Sequence, residues 1–181
     1  VHVQSLIAAY RFLGSRWADL DPLKRTERPK IPELEPAFYD LSESDMDITF
    51  SAANTYFTKA ENMSLREIVQ ALRETYCGTV GAEFMHCTDP AEKRWWQERL
   101  ESIRSKPTFS VEEKKHILDR LTAAEGPERY LHTKYVGQKR FSLEGGESFI
   151  AAMDSLIQRG GAKGVQEIVI GMAHRGRINV L

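Results

Sequence analysis

The spacing of apolar residues predicts a chain that is mostly helical. From the amino end, apolar side chains recur near the 3.6-residue period of a helix and would form one buried face. These residues are Val3, Leu6, Ile7, Tyr10, Leu13 and Trp17. Prolines are then frequent from 21 to 36, in a charged context. Because proline lacks a backbone donor and restricts the residue before it, we expect an extended, exposed connection there.

A second helix is predicted to begin after Ser64. Ser64 and Glu67 have the spacing of a capping box, in which each side chain bonds the other residue's backbone N–H. Met63 and Ile68 occupy the positions of a hydrophobic staple. The expected buried stripe consists of Leu65, Ile68, Val69 and Leu72, and Gly78 is the expected stop.

Two more helices are predicted in the middle of the chain. Asp89 and Pro90 mark the start of the first, in which Trp96, Leu100 and Ile103 share a face. Ser110 marks the start of the second, and Gly126-Pro127 is expected to break the pattern and restart it, with Pro127 opening a short helix through Tyr130 and Leu131. The residues that this second helix is expected to bury are Val111, Ile117, Leu118 and Leu121.

The carboxyl-terminal residues have a different pattern. A helix is predicted over Gly145–Gly160, followed by a glycine-containing turn and by the β-branched run Ile168-Val169-Ile170. Such a run after a helix is typical of a strand buried on both faces of a parallel sheet, here within Glu167–Met172. Since one parallel strand is not stable alone, we expect this chain to be an excised piece whose sheet is completed elsewhere.

Composition narrows the possible functions. Apolar residues are 41% and charged residues 28% of the 181 positions, which permits a packed core. The formal net charge of −1 provides no overall basic field for nucleic acid or an anionic membrane. Cys77 and Cys87 are too few for a disulfide framework, so we expect half-buried thiols in a reducing compartment.

The segment Gly171–Leu181 is the first candidate for chemistry. It follows the predicted strand, and ligands of open α/β sheets lie at the carboxyl ends of strands. His174 with Arg175 and Arg177 would suit an anionic substrate or a phosphate, because arginine is a fixed cation and histidine titrates near neutral pH. The alternative is a basic surface turn whose arginines pair with nearby carboxylates.

The segment Lys139–Glu147 is the second candidate. Ser142 can cap a helix, and Gly145 and Gly146 permit close packing against a ligand or a neighbouring backbone. The alternative is an ordinary helix start. No cysteine and histidine cluster indicates a structural zinc site.

A resemblance to a known family covers nearly the whole chain. The pair "KRFSLEGGE" and "GMAHRGRINVL" is similar to the first component of the 2-oxoglutarate dehydrogenase complex, where Leu usually stands at position 178. Further similar stretches are "AYRFLGSRWADLDPL", "TYCGTVGAEFMH", "EKRWWQERLES" and "LTAAEGPERYL". The Pro-rich connection matches least well.

The resemblance implies a fold and roles for individual residues. It implies an amino-terminal helical region over 1–139 and, over 140–181, the start of a three-layer α/β domain that binds thiamine diphosphate. His174 resembles the active-site histidine that contacts the 2-oxo acid, and Phe141 resembles an aromatic residue of the substrate pocket. Arg175 resembles the arginine that reaches thiamine diphosphate, while Arg177 and Asn179 are given supporting roles.

The resemblance also implies an activity and partners. The parent protein would decarboxylate 2-oxoglutarate with thiamine diphosphate and magnesium, and would pass the succinyl unit to the lipoyl group of a dihydrolipoyl succinyltransferase. A homodimer is implied, in a bacterial cytoplasm or, for a eukaryotic protein, the mitochondrial matrix. The magnesium ligands would lie outside this fragment, so we expect the isolated piece to be inactive.

Two competing hypotheses remain open at this point. The first is the similar 2-oxoadipate dehydrogenase component, which has the same His-Arg-Gly-Arg motif. The second is a non-catalytic helical docking module that uses Trp17, Trp95 and Trp96 to bind a partner. A gene that continues into a Gly-Asp thiamine motif would favour the enzyme.

Overall fold

A computed structural model describes residues 1–137, 142–172 and 175–180. By its internal contacts the chain divides into two compact units, Val1–Pro107 (unit 1) and Thr108–Leu181 (unit 2). The expected boundary at 139/140 concerns a complete thiamine-binding domain and stays a prediction.

Helices dominate the described residues, as the apolar spacing predicts. Unit 1 contains α1 (His2–Leu13), α2 (Leu65–Tyr76) and α3 (Pro90–Glu101). Its two short strands, β1 (Thr49–Ser51) and β2 (Asn62–Ser64), pair antiparallel with Phe50 opposite Met63. Unit 2 contains α4 (Val111–Lys134), α5 (Ser148–Ala162) and the short α6 (Arg177–Val180).

Unit 1 has a closed hydrophobic core between α1 and α2. The apolar face predicted for α1 is buried as far as Tyr10, and a short 3₁₀ helix (Gly14–Trp17) continues the element. Its core side chains pack against the predicted stripe of α2 and against Phe57, Met63 and Phe84. Burial of large aliphatic side chains contributes about 1.5–3 kcal/mol each, so this face is the main stabilising feature of unit 1.

The start of α2 confirms the predicted cap. The Ser64 hydroxyl accepts a hydrogen bond from the Glu67 N–H, and the Glu67 carboxylate accepts from the Ser64 N–H. Met63 and Ile68, the predicted staple, are both buried. The local sequence therefore specifies where this helix begins.

The Pro-rich connection is largely exposed and without regular structure up to Lys30, as predicted. It then forms 3₁₀ helices at Pro32–Leu34 and Pro36–Tyr39. Leu34 is buried in the core of unit 1. The connection is therefore ordered at its carboxyl-terminal end by packing against α1.

Helix α3 begins at the predicted cap, and Leu100 of its predicted face packs partly buried against the core. The Asp89 carboxylate accepts from the Ala91 N–H. Trp96 and Ile103 of the predicted face are exposed, whereas Glu101 is fully buried. Glu101 can be buried because four donors satisfy its carboxylate: Arg11 Nε and Nη2, the Tyr76 hydroxyl and the Tyr56 N–H.

The tryptophans named for a docking module differ in environment. Trp17 is half-buried against the core of unit 1, and the Arg28 guanidinium lies 5.0 Å from its ring centroid. Trp95 and Trp96 are exposed and pack edge to face with each other. The position of Trp17 is therefore explained by contacts within unit 1, without a partner protein.

Helix α4 is continuous where a break was predicted. It begins at the predicted cap Ser110, which forms a second capping box with Glu113. It then runs through Gly126-Pro127 as far as Lys134, so the predicted break is wrong. A helix can tolerate a proline because the ring removes one backbone donor and strains one turn, a cost of about 3 kcal/mol that other contacts offset.

Most apolar side chains of unit 2 remain exposed. Ala124 is its buried apolar side chain among the described residues, while Val111 and Leu118, which were expected to be buried, are exposed. Helix α5 occupies most of the range predicted for it, but Phe149, Leu156 and Ile157 are exposed as well. The described part of unit 2 therefore does not form a hydrophobic core like that of unit 1.

The strand predicted within Glu167–Met172 is not formed. These residues have no regular secondary structure, and Val169 is 95% exposed. The physical reason is pairing: in the described part of the chain no other strand of unit 2 offers the backbone partners that a strand needs.

Cys77 is buried and Cys87 is half-buried, and neither forms a disulfide. Burial raises the pKa of the Cys77 thiol to about 11. Among the described residues, none of the helices has the length and apolarity that crossing a membrane would require.

Candidate functional site

Some of the site residues predicted from the sequence lie within the described residues, and others lie outside them. Phe141 and His174 lie outside the described residues. Arg175, Ser142 and Asn179 lie inside them, and all three belong to unit 2.

Arg175 joins the two candidate motifs. Its Nε donates to the Ser142 carbonyl at 2.8 Å, and its Nη2 donates to the Glu144 carbonyl, also at 2.8 Å. These bonds connect residues that are more than thirty positions apart in sequence. Arg175 is exposed, as in the basic surface turn considered above, but it donates these two hydrogen bonds to backbone carbonyls.

Gly176 brings the same two segments into direct contact. Its φ of +72° lies in the left-handed region that glycine adopts without strain. A Cβ atom at this position would lie 2.6 Å from Leu143 Cδ1, which is closer than packed carbon atoms come. Glycine is therefore favoured at 176 by the backbone conformation, while the close contact is with the end of a flexible leucine side chain that rotation can move.

Glu128, on α4, connects a third element to these motifs. Its carboxylate accepts hydrogen bonds from the Ser142 hydroxyl at 2.8 Å and from the Leu143 N–H at 2.7 Å. Partial burial raises the pKa of Glu128, but the bonds from Leu143, Ser142 and Asn179, with the nearby charge of Arg175, lower it more. The net pKa lies below the ordinary value, so the carboxylate is ionised at neutral pH.

Asn179 completes this group from α6. Its Nδ2 donates to the Ala124 carbonyl at 2.7 Å and to Glu128 Oε1 at 3.1 Å. Helix α6 is thereby attached to α4 through side-chain amide hydrogen bonds. We refer to Glu128, Ser142–Glu144, Arg175–Gly176 and Asn179 as the motif junction.

A cleft of about 720 Å³ opens beside the motif junction. Carboxylates prevail in its lining, which also includes Arg129, His132 and Asn179. The carboxylates are Glu125, Glu128, Glu144 and Glu147. Such a lining is not suited to a diphosphate, because like charges repel at short range.

The implied cofactors need oxygen ligands for magnesium and cationic donors for the diphosphate. Magnesium takes oxygen ligands in octahedral geometry, and the described residues contain no cluster of three histidine, cysteine or acidic side chains that could hold it. Arg175 has five N–H donors, of which two are used in the bonds described above. Among the described residues, Arg175 is therefore a candidate cation for thiamine diphosphate, and no group of three metal-binding side chains is found.

Sequence reasoning identified the two motifs but missed Glu128. This residue lies in the matching stretch "LTAAEGPERYL", where it has the pattern of a solvated helix residue. Its three donors come from residues 14 to 51 positions away, which no local pattern reveals.

Fold and site together define a class: a mostly helical protein segment in which two glycine- and arginine-containing motifs are hydrogen-bonded to each other. No protein-family model matches the chain. Individual relatives do. It is 75% identical over all 181 residues to the 2-oxoglutarate dehydrogenase E1 component of Cupriavidus necator.

Two more relatives have the same name. The chain is 51% identical to the 2-oxoglutarate dehydrogenase E1 component of Azotobacter vinelandii and 46% identical to that of Haemophilus influenzae, in each case over its whole length. It spans 19–20% of the length of these relatives. The resemblance to this family that the sequence motifs predicted is therefore confirmed.

Proposed function

We propose that this chain is a segment of a thiamine diphosphate-dependent 2-oxoglutarate dehydrogenase E1 component. The parent protein would oxidatively decarboxylate 2-oxoglutarate and transfer the succinyl unit to a lipoyl group in the tricarboxylic acid cycle. The observation that carries the proposal is the 75% identity, unbroken across the whole chain, to a protein with this name. The aligned region includes both candidate motifs as well as unit 1.

The proposed roles of the site residues are those that the resemblance of the two motifs to the family implies. Thiamine diphosphate, when bound, supplies the electron sink for decarboxylation. His174 is proposed to hydrogen-bond the 2-oxo acid and to move a proton, Phe141 to line the substrate pocket, and Arg175 to reach the cofactor. The two bonds from Arg175 to the 142–144 backbone support this role, because they fix the plane of the guanidinium.

The partners and cofactors of the complete protein belong to the same proposal. They are 2-oxoglutarate, magnesium, a lipoyl-bearing dihydrolipoyl succinyltransferase and a second E1 subunit. The relatives named here come from bacteria, which supports a bacterial cytoplasmic location. The 181-residue chain alone is expected to be inactive and to bind thiamine diphosphate weakly, because its cleft is acidic and its described residues hold no magnesium ligand set.

A substitution in the complete protein tests this function. His174→Ala is expected to lower turnover of 2-oxoglutarate at least about tenfold, since a hydrogen bond to a charged group contributes roughly 1.5–3 kcal/mol. Turnover is followed as lipoyl-dependent succinyl transfer, and circular dichroism checks that the fold is retained. The matched control is His116→Ala, which removes an exposed histidine that pairs with Asp154 on α5.

Three results would contradict the proposal in different ways. Near-normal turnover of His174→Ala removes His174 from the site. A complete protein that decarboxylates 2-oxoadipate but not 2-oxoglutarate assigns the chain to the related enzyme. Micromolar binding of thiamine diphosphate to the isolated chain, measured by calorimetry, would show that the cleft is not the obstacle described here.

A further inference from the structure

We infer that Glu128 is a positioning residue of the active site, which holds the segments that carry Phe141 and His174 in their working arrangement. This inference rests on the proposed function and deepens it. Glu128 is assigned no contact with substrate or cofactor. It acts through the backbone on either side of the residues that do the chemistry.

Several hydrogen-bond donors converge on the Glu128 carboxylate. Three donors from two distant segments point at one carboxylate: the Ser142 hydroxyl, the Leu143 N–H and the Asn179 amide. Hydrogen bonds to an ionised acceptor are shorter and roughly twice as strong as those between neutral groups. A single side chain of α4 therefore fixes both the 142–143 backbone and α6.

The bonded residues are next in sequence to the proposed site residues. Ser142 and Leu143 directly follow Phe141, and Arg175, whose guanidinium bonds the Ser142 carbonyl, directly follows His174. Ser142 thus has its side chain bonded to Glu128 and its carbonyl bonded to Arg175. Loss of the carboxylate would release the segment next to the pocket aromatic and loosen the segment next to the histidine.

A neighbouring carboxylate, that of Glu125, has different partners. Glu125 lies one turn earlier on α4 and lines the same cleft. Its carboxylate bonds Arg129 on the same helix, at 2.7 and 3.0 Å, in an exposed i,i+4 pair. Such pairs stabilise a helix by only about 0.3–0.5 kcal/mol. Glu125 and Glu128 thus lie on the same helix and line the same cleft. Of the two, Glu128 accepts hydrogen bonds from both motifs.

A double-mutant cycle in the complete E1 protein tests the inference. Glu128→Ala is expected to lower kcat/KM for 2-oxoglutarate about tenfold, the effect of about 1.4 kcal/mol of lost transition-state stabilisation. In a His174→Ala background the additional loss is expected to be less than about threefold, because residues that act as a unit are not additive. A purely structural role would lower both backgrounds by the same factor, and that result would overturn the inference.

Two further variants keep the test decisive. Glu125→Ala is the matched control, and its kcat/KM is expected to stay within about twofold of the wild type. Glu128→Gln keeps the size and one accepting oxygen, so it is expected to retain the fold and to lose about three- to fivefold. If Glu128→Ala fails to fold, Glu128→Gln decides: kcat/KM unchanged from the wild type would refute the positioning role.

Hydrogen exchange gives a readout that does not depend on turnover. In Glu128→Ala and Glu128→Gln the amides of 142–147 and 175–180 are expected to exchange about tenfold faster, while those of unit 1 are unchanged. Unchanged exchange in these two segments would refute the inference even if the protein is active. A wild-type protein that does not act on 2-oxoglutarate would instead refute the proposed function, and faster exchange would then show a structural contact only.

Discussion

The two compact units of this chain are stabilised in different ways. Unit 1 buries the apolar faces of α1 and α2 against each other and satisfies a fully buried carboxylate, Glu101, with four donors. Unit 2 leaves most of its apolar side chains exposed and is connected through the polar motif junction. The candidate site residues therefore belong to unit 2, whereas the hydrophobic core belongs to unit 1.

The largest expected effect is the loss of Glu101. Glu101→Ala leaves Arg11 without its carboxylate partner and the Tyr76 hydroxyl without its acceptor. Removal of one partner from a buried ion pair costs about 3–5 kcal/mol. We expect unit 1 to lose that free energy of unfolding, measured by native-state hydrogen exchange of its amides.

Glu98 provides the control for this substitution, because it is exposed on the same helix. Glu98→Ala is expected to change the free energy of unfolding by less than about 0.5 kcal/mol. Equal effects of the two substitutions would mean that Glu101 is not buried as described.

A matched pair of leucines tests the comparison between the units directly. Leu72 is 0% exposed in unit 1, whereas Leu118 is 63% exposed in unit 2. Leu72→Ala should cost about 2–5 kcal/mol in the isolated chain, and Leu118→Ala should change stability by less than about 0.5 kcal/mol. The same hydrogen-exchange measurement reports both values.

Costs of similar size at the two leucines would show that unit 2 has a core of its own in solution. In that case the exposed apolar face of α4 would have to be covered by other residues of the chain.

Local signals were sufficient to predict where helices begin. The capping residues Ser64, Asp89 and Ser110 are confirmed, because a cap depends on side chains within three residues of the helix start. The apolar faces of α1 and α2 are confirmed for a similar reason, since their spacing matches the helical period. The sequence therefore predicted the three helices of unit 1, but not its two short strands or its 3₁₀ helices.

Features that depend on distant partners could not be predicted in this way. Glu101 is buried because groups on α1, on α2 and in the loop at Tyr56 converge on it, and Glu128 joins motifs that follow it at a distance. The helix break at Pro127 was wrong because propensity gives only the local cost of a proline.

The candidate site was predicted as two motifs but not as a contact between them. The resemblance indicated Phe141, His174 and Arg175, and the structure adds the bonds by which Arg175 reaches the 142–144 backbone. Spacing alone could not predict these bonds, because their acceptors are backbone carbonyls, which every residue carries.

The smallest expected effect compares the same local device in both units. Ser64 and Ser110 each form a capping box with a glutamate three residues later. Ser64→Ala should cost unit 1 about 1 kcal/mol, the usual contribution of an N-cap, because the core transmits the loss of one helix turn to the whole unit. Ser110→Ala should instead speed exchange mainly in the first turn of α4, since the apolar side chains near that turn, Phe109 and Val111, are exposed. If Ser110→Ala accelerated exchange as far as the motif junction, α4 would be transmitting the loss of its cap along its whole length, and the contrast drawn between the two units would have to be given up.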